Sequence, residues 1–97
     1  MNINQLMQQA QKMQKDVKKA QEEVEKMTFT SKKDLVEVEG TGDKKITKIT
    51  ISKDIEKDDI ELLEDMILIA VNDVIKQAED GMEKKLGRYS NMMPGLF

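Results

Sequence analysis

Eight apolar residues recur through the first 27 positions at alternating steps of three and four: Ile3, Leu6, Ala10, Met13, Val17, Ala20, Val24 and Met27. This is an uninterrupted heptad seam of more than three repeats, and it predicts a helix over residues 3–27. The positions between are mostly Gln, Lys and Glu, so the helix has one narrow apolar edge and no second buried face. Such a helix cannot complete a core alone. It must lie along another helix, whether of its own chain or of a partner, or have its seam filled by a ligand.

At 97 residues the chain is one domain, of a size often completed by oligomerisation. Charged residues reach 36% and aromatics 3%. That composition alone is compatible with disorder, but the apolar residues are periodic, which predicts a folded body. The absence of Cys and His removes disulfides, thiol and imidazole catalysis, and the usual ligands of structural zinc. The first residues lack the apolar run of a signal peptide, and no stretch approaches the ~20 apolar residues of a membrane span. A cytoplasmic protein with no membrane contact is expected.

The net charge of −3 is unevenly spread. Residues 1–20 carry four lysines against Asp16, residues 54–73 carry eight acids against Lys57, and residues 84–88 carry Lys84, Lys85 and Arg88 with no acid. Overall acidity argues against a nucleic-acid partner. Segregation restores the possibility, because local potential governs contact within a Debye length of about 8 Å.

Past Thr28 the pattern turns β-favouring. Strands are predicted at about 28–32, 35–40 and 45–52, the last two joined as a hairpin through Gly40-Thr41-Gly42-Asp43. The glycine pair precedes a strand, so it reads as a tight turn and not as a phosphate loop. Asp58, with Glu61 three residues on, reads as the N-cap of a second helix over about 59–86. That helix is apolar on two faces and continuously so from Met66 to Val71, which predicts that one face covers the sheet and the other a second subunit. Residues 1–86 form the domain, and Gly87 to Phe97, with Met92 and Met93, form a flexible tail. The fold class is α+β, in the order α-β-β-β-α.

The opening Asn4-Gln5-Leu6-Met7-Gln8-Gln9-Ala10-Gln11-Lys12-Met13-Gln14, the strand Val36-Glu37-Val38-Glu39-Gly40 and the hairpin ending Ile46-Thr47-Lys48-Ile49-Thr50-Ile51 form an ordered set. Leu63-Glu64-Asp65-Met66-Ile67, Asn72-Asp73-Val74, Ala78 and Met93-Pro94-Gly95 complete it. In order, spacing and total length the chain resembles the YbaB/EbfC family of bacterial nucleoid-associated proteins. The resemblance implies a tweezer-like homodimer joined through the sheet and second helix, with the long helices as arms. It also implies binding of double-stranded DNA with little sequence specificity, a nucleoid location, and no enzymatic activity. The acidic run opening the second helix and the acidic balance of this chain depart from that picture of a DNA-binding protein.

Lys12, Lys15 and Lys19 fall at i, i+3 and i+7, and Gln8 and Gln5 extend the stripe backwards. Lysines neutralise phosphates and glutamines hydrogen-bond phosphates or base edges. The plainer reading is a solvated helix face. Lys84, Lys85 and Arg88 form a second candidate patch, or else simply complement a helix C-terminus. The acids from Asp54 to Asp65 lack the glycine and ligand spacing of a calcium loop and read as capping and solubility. Neither metal nor cofactor is expected. Ser31, Ser52 and Ser90 have no base in any motif, so nucleophilic catalysis has no support. The competing reading is a non-enzymatic interaction module. Its heptad arm would dock replication or recombination proteins or hold clients as prefoldin-like coils do.

Overall fold

The computed structural model describes residues 2–92, the side chains of residues 88 and 90–92 excepted. Helix α1 spans Ile3–Glu25, strands β1, β2 and β3 span Thr28–Lys33, Val36–Thr41 and Lys45–Ile51, and helix α2 spans Ile60–Met92 behind a 3-10 turn at Lys57–Asp59. The predicted α-β-β-β-α order is the observed one. The body is elongated, 71 × 19 × 13 Å.

The sheet is antiparallel in the order β1-β2-β3. Central β2 is pinned by alternation: Val36 and Val38 pair with Ile51 and Ile49 on one side, and with Lys33 and Ser31 on the other. Val36 and Val38 point at α2 and are buried with Met66, Ala70 and Val74. Full burial of a valine of this kind contributes about 1.5–3 kcal/mol. Small residues at Ala70 and Ala78, both wholly buried, let the helix lie close to the strands.

Two polar contacts fix α2 over β1. The Gln77 side-chain amide donates to the Thr30 carbonyl at 2.9 Å, and Lys33 approaches Asp73 at 4.0 Å. Ser31 is the buried polar residue of the described core. Its hydroxyl faces the Asp73 carboxylate without ordinary hydrogen-bond geometry to any described atom. The Ser31 hydroxyl, with the Lys33 ammonium and Gln77 amide, holds the Asp73 carboxyl below its usual value, against the desolvation that opposes them.

The hairpin glycines do more than turn the chain. A Cβ on Gly42 would lie 1.8 Å from the Val24 carbonyl oxygen, so only glycine lets the β2–β3 turn close onto the end of α1. The Gly42 amide donates to the Met27 carbonyl at 3.1 Å, which locks the same junction. Left-handed backbone falls instead on Asp34 and Lys44 (φ 49° and 65°).

Two expectations are corrected. The capping pair is not Asp58 with Glu61. Asp59 accepts the Glu56 amide at 3.1 Å, because the chain enters α2 through the 3-10 turn and the first turn begins earlier. The second helix also passes the expected end near residue 86 and continues to Met92. Leu86 and Tyr89 pack on α1 and hold those turns helical. The tail expected from Gly87 is therefore helical as far as Met92, and residues 93–97 lie outside the described residues.

Candidate nucleic-acid interface

Helix α1 projects from the sheet as an arm, and α2 runs antiparallel to it. Val17 and Ala20 are buried with Leu86, and Met13, Met82 and Tyr89 pack around them. Val24 closes the base at 1% exposure. The lower half of the heptad seam is thus filled within the chain. Its upper half is not: Ile3 is 74% exposed, Leu6 47% and the adjacent Met7 55%.

This packing fixes where the lysines point. At 100° per residue, Gln5, Gln8, Lys12, Lys15 and Lys19 lie roughly opposite the Val17–Ala20–Val24 edge. All five are exposed. Lys12 and Lys19 are separated by about 10.5 Å along the axis. That span is near three base-pair steps of a duplex at about 3.4 Å each. Among the described residues, no ion pair engages Lys12, Lys15 or Lys19. The stripe also continues to Lys26, exposed at the C-cap of α1 and seven residues beyond Lys19. Extending the i+7 spacing one step further along the sequence reaches it.

The second cluster is divided. Lys85 Nζ lies 3.3 Å from Glu23 Oε2, and Lys85 shares a shallow groove with Asp16, Lys19, Ala20, Glu23 and Tyr89. The structure therefore brings Lys19 and Lys85 to one side of the arm, with carboxylates between them. Lys84 is exposed and, two residues before Leu86, points away from α1. The Arg88 side chain lies outside the described residues. Since α2 runs on to Met92, Lys84 and Lys85 do not sit in its last turn, and the helix-dipole reading of them is withdrawn.

Charge is polarised along the long axis. Residues 2–20 and 84–92, the outer part of the arm, hold seven Lys and Arg against Asp16; residues 21–83, which include Glu22, Glu23 and Glu25 on α1 and Glu83 on α2, hold nine Lys against eighteen acids. The acids at the start of α2 thus stand apart from the arm. No cluster of metal-ligating side chains occurs among the described residues, and none of their helices is long and apolar enough to cross a membrane.

A further surface is apolar. Helix α2 covers β1 and β2 and leaves β3 largely bare. Ile49 and Ile51, side by side with Val38 and Val36 on the helix-facing side of the sheet, are 45% and 42% exposed. Asp73 and Gln77 turn one flank of α2 toward β1. Helical periodicity then places Ile67, Val71 and the 62%-exposed Leu68 on the flank that overhangs β3.

Comparisons with known proteins extend over nearly the whole chain. The sequence profile of the YbaB/EbfC DNA-binding family matches residues 1–93. A nucleoid-associated protein of Streptococcus thermophilus is 41% identical, over 97% of this chain and 98% of its own. One of Lactococcus lactis is 42% identical with the same coverage. One of Ligilactobacillus salivarius is 39% identical over 99% of this chain and 95% of its own. The crystal structure of uncharacterized protein HP0035 from Helicobacter pylori shares the fold with a TM-score of 0.70. It is 24% identical and covers 96% of this chain and 98% of that one.

Proposed function

The chain belongs to the YbaB/EbfC DNA-binding family, a non-enzymatic family of nucleoid-associated proteins, and on that premise we propose that it binds duplex DNA as a homodimer. The supporting observation is the row Gln5, Gln8, Lys12, Lys15 and Lys19 on the solvent face of the arm, its three lysines outside every described ion pair.

The mechanism is electrostatic. Lysines along the arm displace condensed counterions from phosphates, and the glutamines hydrogen-bond the backbone. No aromatic is interleaved with them and no helix-turn-helix is present among the described residues, so binding carries little sequence preference. Lys26 extends the stripe toward the sheet, and Lys85 contributes once Glu23 releases it. The acidic start of α2 repels the duplex and keeps it on the arms, within the nucleoid of the cytoplasm.

Dimerisation doubles the stripe. The face formed by Ile49, Ile51, Ile67, Leu68 and Val71 is the proposed contact, because an antiparallel sheet edge left bare beside an overhanging apolar helix is completed by a second copy. A fluorescent duplex titrated with protein at low and high salt tests the reading. Binding that weakens as salt rises supports it, and no binding at low salt defeats it.

A further inference from the structure

Helix α2 carries an exposed apolar ridge apart from the flank that overhangs β3. Leu62 and Ile69 are 48% and 56% exposed. At about 100° per residue both lie within about 40° of Asp73, on the flank turned toward β1, whereas Leu68 lies about 140° from it. Asp65 stands between them in sequence and within about 60° of each around the helix. The surroundings are acidic: residues 54–73 hold eight acids against Lys57. Among the described residues, Asp73 is the one of these eight that makes an ion pair.

The tip of α1 is the converse surface. Ile3, Leu6 and Met7 are exposed there, and residues 2–15 contain Lys12 and Lys15 and no acid. Lys18, which is exposed and outside the row of Lys12, Lys15 and Lys19, stands only about 60° around the helix from the line of Ile3. We propose that the arm tip of one molecule docks on the Leu62–Ile69 ridge of a second copy of this chain. The contact requires neither DNA nor the apolar face beside β3.

Spacing and charge carry the inference. Ile3 to Ala10 and Leu62 to Ile69 are both seven-residue steps, about 10.5 Å along a helix. Laid antiparallel, Ile3 meets Ile69 and Ala10 meets Leu62. Lys15 and Lys18 then pass the start of α2, where Glu56 and Asp58 are exposed. The parallel arrangement carries the same lysines toward Lys76. Two arm tips laid on each other meet no acid before Asp16. The acidic ridge therefore fits the basic tip better than a second tip does, and Lys12 and Lys19 stay on the outer face of the docked arm.

Two turns of helix on each side bury less than the ~1,200 Å² at the low end of stable interfaces, so a single contact is weak. It is also heterologous. The ridge of the molecule that gives its arm and the arm of the molecule that gives its ridge both stay free, so the contact repeats into rings or open chains.

Sedimentation velocity of the full chain, without DNA, at low salt and rising concentration tests the proposal. The mean mass is expected to grow with concentration above its value at high dilution and to fall back as salt screens the charges. Ile3→Gln with Leu6→Gln removes the arm side, and Leu62→Lys with Ile69→Lys removes the ridge side. All four positions are exposed, and far-UV circular dichroism checks that the helices persist. Each double variant alone is expected to lose the growth. An equimolar mixture of the two is expected to regain it, because one supplies intact arms and the other intact ridges. Three results overturn the proposal. One is a wild-type mass that stays constant, which leaves the seam to its own molecule or to a different partner. Another is a ridge variant that grows as the wild type does, and the third is a mixture that stays at the mass of its components.

Discussion

Lys85 on α2 and Glu23 on α1 meet at 3.3 Å across the arm. The pair is half exposed, so it contributes little to stability. Its consequence is electrostatic: the lysine nearest the α1 stripe is neutralised in the free protein. Glu23→Gln is expected to tighten duplex binding and to steepen the salt dependence by up to about 2 in the log–log slope, one contact for each of two protomers. Fluorescence anisotropy across a salt series checks this. Unchanged affinity and slope would mean that Lys85 takes no part.

Gly42 and Gly87, which line one groove beside the arm, are expected to respond in opposite directions. Gly42→Ala drives a methyl group into the Val24 carbonyl and should destabilise by about 1–3 kcal/mol or more. Gly87→Ala, within α2 and with no described atom within 4 Å of the added carbon beyond its chain neighbours and the helix's own backbone, should stabilise by about 0.5–1 kcal/mol. Urea midpoints measure both.

Asp73 is held below the usual carboxylate value of 3.8 by Ser31, Lys33 and Gln77. A carboxylate lowered in the folded state adds stability that is present above its unfolded pKa. That stability is lost as the pH falls below 3.8 and through the folded value. The stability difference between the wild type and Asp73→Asn should therefore be constant near neutrality and shrink in this acid range. Denaturant melts at several pH values test the sign, and a difference that grows on acidification contradicts the assignment.

Ile49→Glu together with Leu68→Glu places charge on the bare flank of the sheet while leaving the Val36, Val38 and Val74 core untouched. Light scattering should move from a mass near twice 11.1 kDa to the protomer value, with helicity retained. A dimer that persists would place the interface elsewhere.

Much of this fold is legible in residue order because its periods are clean. The heptad of α1 and the alternation of Val36 and Val38 with Glu37 and Glu39 specify their elements without tertiary information. Misreadings arise where local signals compete with packing. Gly87 reads as a helix stop, yet Leu86 and Tyr89 hold α2 against α1 on either side of it. Asp58 reads as a cap, yet the 3-10 turn moves the capping pair to Glu56 and Asp59. In the candidate interface, the outward placement of Lys12, Lys15 and Lys19 follows from the seam they oppose. The pairing of Lys85 with Glu23 does not, because it depends on how two helices distant in sequence come side by side. Gly42 carries no sign of its contact with Val24 for the same reason.

The most direct measurement is the salt dependence of duplex binding for the wild type and for the combined Lys12→Glu, Lys15→Glu, Lys19→Glu variant. With three phosphate contacts from each of two protomers, the wild-type log–log slope should be about −5. The variant should lose binding at salt concentrations where the wild type is saturated, while keeping its fold and its dimeric mass. Equal affinity in the two proteins would contradict a role for the arm lysines in holding DNA.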